Sequence, residues 1–81
     1  MHVRIRVFAR LRDLAGAAEF ERDLAEPSNA ADAWAALVRD FPALADYTRS
    51  VSCAVNEEYA RMTTSLGDGD EVAFLPPVSG G

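Results

Sequence analysis

The chain has 81 residues, 49% of them hydrophobic and 26% charged, with a formal net charge of −5. That length allows one domain with a modest core and leaves little chain for a deep enzyme pocket, and the composition is that of a folded globule rather than a disordered segment. The negative balance excludes nucleic acid as the expected partner, because phosphates would repel this surface, and favours a partner with basic surface.

No apolar run approaches the length that spans a bilayer, so no membrane partner is expected. The alternating start, Met1 to Phe8, does not read as an export signal, and a cytoplasmic location is the expectation. The single cysteine, Cys53, allows neither an internal disulfide nor a zinc cluster. His2 has no ligand companions, and Asp68, Asp70 and Glu71 lack the remaining positions of a calcium loop, so no metal site is expected. All eight basic side chains are Arg and none is Lys, which removes any side chain able to accept an isopeptide bond.

His2 to Phe8 alternates as a strand, with Val3, Ile5 and Val7 on one face and Arg4, Arg6 and Phe8 on the other. Ala9 to Gly16 reads as a connection, with room for a helical turn stopped by Gly16. Glu19 to Leu24 alternates again, Phe20 and Leu24 inward. Arg22 falls on the inward side, so its stem must lie along the core edge with the guanidinium reaching water. Asn29 is a good N-cap, and Asp32 suits the positive end of a helix that runs to about Phe41, before Pro42. Ala30, Ala33, Trp34, Leu37, Val38 and Phe41 form its apolar stripe, with Asp32, Ala36, Arg39 and Asp40 elsewhere. A short helical turn is expected over 42–49. Val51, Cys53 and Val55 mark a third strand with Cys53 inward, as a small buried hydrophobe. Asn56-Glu57-Glu58 reads as a hairpin turn and Tyr59 to Met62 as a short return strand. Gly67 to Asp70 is a turn, and Glu71 to Leu75 is the last strand. This order predicts an α+β fold: a mixed sheet with one main helix packed on one face, for which a ubiquitin-like β-grasp satisfies every short connection.

Residues 1–75 are therefore expected to form the domain and 76–81 a flexible tail ending in Gly-Gly. Pro76 and Pro77 supply no backbone donors and hold the exit extended. Ser79, Gly80 and Gly81 add flexibility and almost no bulk. Six extended residues reach about 20 Å, and glycine lets the backbone pass close to other groups, so the tail suits threading into a channel of another protein. Gly-Gly alone is a weak signal, since frayed termini often carry glycine. Its weight comes from the join, a stiff Pro-Pro leaving directly from a central strand.

The block Asp68-Gly69-Asp70-Glu71-Val72-Ala73-Phe74-Leu75-Pro76-Pro77-Val78-Ser79-Gly80-Gly81 closely resembles the C-terminus of the small, sulfur-carrier subunits of molybdopterin synthase, a MoaD/ThiS-type ubiquitin-like family. Val7 to Gly16 resembles that family's first strand and following loop, and Ala54 to Tyr59 its middle hairpin, so the resemblance runs the whole chain. It implies a β-grasp fold and a particular chemistry. An E1-like adenylating enzyme would use ATP, in trans, to activate the carboxylate of Gly81. A persulfide-carrying sulfurtransferase would then supply sulfur to give a thiocarboxylate. The tail, with Gly80 passing through a channel, would enter the large subunit of molybdopterin synthase and deliver that sulfur to a pterin precursor, building the dithiolene. The resemblance places the machinery of the transfer on the large subunit, so this chain is expected to bind no cofactor, to carry sulfur covalently at its terminus, and to bring no catalytic machinery of its own. From the alternation, Phe8 and Leu75 are candidates for one exposed docking patch beside the tail, with Pro76, Pro77, Val78 and Ser79 as further partner-binding positions. Other readings stay open at this point: a sulfur carrier for thiamine, cysteine or tRNA thiolation, a ubiquitin-like protein modifier, or a non-covalent binding module. The Phe74 to Gly81 ending favours the molybdopterin reading.

Overall fold

The structure, a computed structural model, describes residues 1–77; Val78, Ser79, Gly80 and Gly81 lie outside the described residues. Strand β1 (His2–Val7) alternates as its sequence dictates, with Val3, Ile5 and Val7 buried. It stops at Val7. Phe8 is the N-cap of helix α1 (Ala9–Ala15), which occupies the stretch expected to be a connection. The helix forms because Leu11 and Ala15 share an apolar face that the core can cover. Gly16 ends it at φ 83, a left-handed conformation that glycine adopts without a Cβ clash, and its N–H donates to the Arg12 carbonyl at 2.8 Å.

Strand β2 (Glu19–Asp23) returns antiparallel to β1. Arg22, on its half-buried side, carries its guanidinium 5.3 Å from the Phe20 ring centroid and pairs with Asp40 at 2.9 Å, which gives an inward-facing arginine both an apolar floor and a counter-charge. Helix α2 (Ala30–Asp40) opens on a capping box: Asp32 N–H donates to Asn29 Oδ1 and Asn29 N–H donates to Asp32 Oδ2, both at 2.9 Å. Its buried face is wider than the expected stripe. Ala36 is buried too, because it follows Ala33 by three residues and lies at the stripe's edge. Phe41 closes the helix, and a 3₁₀ helix (Pro42–Tyr47) drops Leu44 into the core.

Strands β3 (Ser52–Val55) and β4 (Glu58–Ala60) form a hairpin. Its loop is only Asn56-Glu57, with φ of 50° and 70°, the positive pair that a type I′ turn requires. The return strand is accordingly earlier and shorter than the expected 59–62. The Asn56 amide ties the hairpin to the next element: its oxygen accepts from Glu71 N–H and its nitrogen donates to Asp70, each at 3.0 Å. Strand β5 (Glu71–Leu75) then enters the middle of the sheet.

The sheet order is β2-β1-β5-β3-β4, with β1 and β5 parallel and all other pairs antiparallel. This is the β-grasp arrangement. Helix α2 covers one face, where Phe74 meets Trp34 edge-on at a centroid distance of 5.0 Å. Phe74, Ile5, Leu11, Leu37 and Leu44 are all fully buried.

Candidate functional site at the outer sheet face

The face of the sheet away from α2 is where the two central strands deliver their remaining side chains. The pairing registers align Glu19, Arg6, Ala73, Ala54 and Tyr59 in one row across all five strands. Two alanines at the centre make a floor with no bulk above it. Arg6 and Phe8 wall it on the β1 side, the guanidinium lying 5.2 Å over the Phe8 ring. Tyr59 walls it on the β4 side, and Leu75 closes the end from which the tail leaves. These side chains, with Glu57 and Glu71 at the other end, enclose a shallow depression of about 230 Å³.

Among the expected docking residues, Phe8 and Leu75 thus line one depression, both half-buried. Phe8 reaches it by continuing the alternation of β1: its backbone is still extended, at φ −129 and ψ 159, so it points to the same side as Arg6 and away from Val7. Leu75 reaches it as the last residue of β5, opposite Ser52. Pro76 is half-buried and Pro77 exposed. The expected positions Val78, Ser79, Gly80 and Gly81 lie outside the described residues. Sequence reasoning missed Tyr59, which is 82% exposed and the one large hydrophobic residue that the described chain leaves that open. The signal was present: a two-residue turn at Asn56-Glu57 pairs Tyr59 with Ala54 and turns it outward, whereas a turn over 56–58 would pair it with Val55 and turn it to the core face.

Arg6 approaches Glu19 to 3.6 Å on the β1–β2 side, and the other charged side chains lining the depression are Glu57 and Glu71, around an apolar centre of Ala54 and Ala73. Cys53 lies on the other side of the sheet, 1% exposed. Its Sγ donates to the Ala60 carbonyl at 3.3 Å, and burial pushes its pKa up, so the thiol stays protonated. His2 lies at the far end of β1, between Glu21 Oε1 at 2.7 Å and Asp23 Oδ1 at 2.9 Å; those two hydrogen bonds, Glu21 first, raise its pKa. Among the described residues no group of three or more His, Cys, Asp or Glu side chains is placed to hold a metal ion, and no helix is long and apolar enough to cross a membrane. A larger groove of about 550 Å³ lies on the helix layer between Trp34, Val38, Thr48 and Met62. The Trp34 indole is already satisfied there, donating to Thr48 Oγ1 at 3.0 Å, and none of its lining residues belongs to the tail side of the sheet.

Comparison with known proteins gives this geometry a context. The chain is 36% identical over 83 residues to the molybdopterin synthase sulfur carrier subunit of Chlamydomonas reinhardtii, with 100% of both chains covered. Among solved structures it is similar to small archaeal modifier protein 1 of Haloferax volcanii, at 30% identity and a TM-score of 0.83, covering 95% of this chain and 98% of that one. It is also similar to a chain in the complex of subunits 1 and 2 of the molybdopterin-converting factor of Helicobacter pylori, at 26% identity and a TM-score of 0.67, with 100% of both covered. Residues 5–81 match the ThiS family, and the chain belongs to that family.

Proposed function

We propose that this chain is the sulfur-carrier subunit of a molybdopterin synthase, with the carboxylate of Gly81 as its working group and a large synthase subunit as its principal partner. The observation that carries the reading is the join between site and tail. The central strand β5 runs past an open apolar depression straight into Pro76-Pro77, so a partner that grips the outer sheet face also receives the tail. The curated relative named as a sulfur carrier and the solved two-subunit complex support the same assignment.

The chemistry follows from the reactivity of a carboxylate. It is a poor electrophile, so an E1-like adenylating enzyme must first give it a leaving group. A Gly81 oxygen attacks the α-phosphorus of ATP, and pyrophosphate departs. The terminal sulfur of a persulfide on a sulfurtransferase then attacks the acyl carbon, and AMP departs. A thiol attacks the other sulfur of the resulting acyl disulfide, leaving a thiocarboxylate on Gly81 and a disulfide on the donor. The thiocarboxylate is a soft nucleophile that can be carried into the large subunit, with Gly80 passing through the narrowest part of the path. In this scheme Phe8, Tyr59, Leu75, Pro76, Pro77, Val78 and Ser79 bind partners. ATP acts only on the activating enzyme, in a cytoplasmic setting.

The test is intact mass. Incubated with the activating enzyme, ATP and a persulfide-charged sulfurtransferase, the protein should exchange one oxygen for sulfur, and the change should map to Gly81. Adding the large subunit and the pterin precursor should return the carboxylate. A mass that never changes while ATP is turned over would refute the assignment. A second reading is favoured by the likeness to a small archaeal modifier protein. If Gly81 instead appears in amide linkage to lysines of other proteins, the chain is a modifier. Return of the carboxylate with a thiamine, cysteine or tRNA precursor, and not with the pterin, would move the carrier to another pathway.

A further inference from the structure

Activating the C-terminus creates an acyl electrophile on a tether. Any amine or thiolate on the same body within reach of the tail meets it at an effective concentration in the millimolar range, without having to diffuse to it. Six residues of chain counted from Pro76 span at most about 20 Å, a radius that takes in α1 and the outer sheet face. Which groups stand within that radius therefore decides whether the activated carboxylate waits for its sulfur donor or is consumed at home.

This body offers nothing suitable there. All eight basic side chains are arginine. A lysine has a pKa near 10.4, so at pH 8 on the order of one in a few hundred is a neutral, nucleophilic amine. A guanidinium stays protonated at every relevant pH and carries the same charge without that reactivity. The substitution matters most at Arg10 and Arg12, both exposed on α1 at the same end of the sheet as the tail exit, because β1 and β5 run parallel. The single thiol, Cys53, is 1% exposed, hydrogen-bonded to Ala60 and held protonated by burial. The Met1 nitrogen donates to the Leu24 carbonyl at 2.7 Å and lies at the opposite end of β1 from the exit; Leu75 is level with Phe8, so about 23 Å of strand separates them, more than the tail spans even when doubled straight back.

We infer that the body places no amine or thiolate where its own activated C-terminus can use it, so that the chain does not acylate itself. The inference rests on activation of Gly81 as proposed above, and it deepens that reading by assigning a role to the all-arginine surface: the activated carboxylate can pass only to a nucleophile brought by another molecule. Were a lysine present at position 12, its amine would attack the acyl carbon. A C–N bond would form, the leaving group would depart with the electrons of the broken bond, and the ammonium would lose its proton to solvent.

The full chain is prepared as a C-terminal thioester by intein cleavage, so the result does not depend on any activating enzyme. Wild type, R10K and R12K are held at pH 8 without added amine and followed by intact mass. Wild type should give only the free acid. R10K and R12K should give a species lighter than the free acid by one water, or a dimer lacking one water. They should also lose thioester faster than wild type, because the tethered amine adds a route beside hydrolysis. The inference is overturned if wild type forms either amide product, at Met1 or elsewhere. It is equally overturned if both lysine variants, folded by circular dichroism, decay as wild type does.

Discussion

Replacing Tyr59 by alanine separates docking from folding more cleanly than any other change on the outer face. In the free protein the side chain is 82% exposed and pairs across the strands only with Ala54. Its loss should cost the monomer at most about 0.5 kcal/mol of cross-strand contact and strand propensity. For a domain of this size that is a fall in Tm of about 2–4 °C. In a complex the account is different. An aromatic side chain presents about 150–250 Å² of surface, and covering the exposed part at about 25 cal/mol per Å² is worth about 4 kcal/mol. Ordering the side chain and dehydrating its hydroxyl take back about half of this, which leaves about 2 kcal/mol, the scale of an interface hot spot. The expected result for Tyr59→Ala is a rise in Kd for the large subunit of about 30-fold, measured by titration calorimetry, with thermal unfolding of the free protein close to wild type. An affinity within about twofold of wild type would refute the docking assignment and move the interface to the tail and the acidic turns. A large fall in Tm would show instead that Tyr59 supports the hairpin.

Deleting Gly81, or extending the chain beyond it with a tag, should abolish conversion to the thiocarboxylate while leaving the circular dichroism spectrum unchanged; sulfur transfer by either variant would sink the proposed chemistry. Phe74→Ala removes a fully buried ring packed edge-on against Trp34 and should cost about 3–5 kcal/mol, read as a lower urea midpoint with the same slope. Asn29→Ala breaks the capping box of α2 and should cost about 1 kcal/mol by the same measurement. The hydrogen bonds that the imidazolium donates to Glu21 and Asp23 hold the pKa of His2 above its ordinary value of 6.5, so the stabilisation they give is complete below that value and is lost as pH rises through the folded-state pKa. Urea midpoints of wild type and His2→Gln should therefore differ at about pH 6 and converge at higher pH, and a proton titration of the imidazole that stays at or below 6.5 would contradict the geometry.

The order of the elements was legible because each carries its own period. Val3, Ile5 and Val7 alternate, α2 repeats at three and four, and Asn29 with Asp32 announces the helix start. What was not legible depended on a boundary or on a distant partner. The outward face of Phe8 was legible, because its extended backbone continues the alternation of β1, but its role as the N-cap of α1 was not. Helix α1 looked like a connection because seven residues with two arginines carry little periodic signal, and its stability comes from Leu11 and Ala15 meeting a core that the local sequence does not show. Tyr59 was left without a face because its orientation hangs on whether the turn holds two residues or three. Arg22 was correctly given an apolar stem and a wet head, but its partner Asp40 lies across the fold, beyond any local rule.

The position of β5 also has a mechanical consequence. A tail that is gripped and drawn into a channel pulls along the axis of the strand that carries it. β5 is held on one side by β1, through pairs from Arg4 to Val7, and on the other by β3, through pairs from Ser52 to Val55. Force along that axis loads both ladders in shear, so the hydrogen bonds resist together; an edge strand peeled sideways would surrender them one at a time. With β5 central, a pull applied beyond Leu75 is opposed by both neighbouring strands at once.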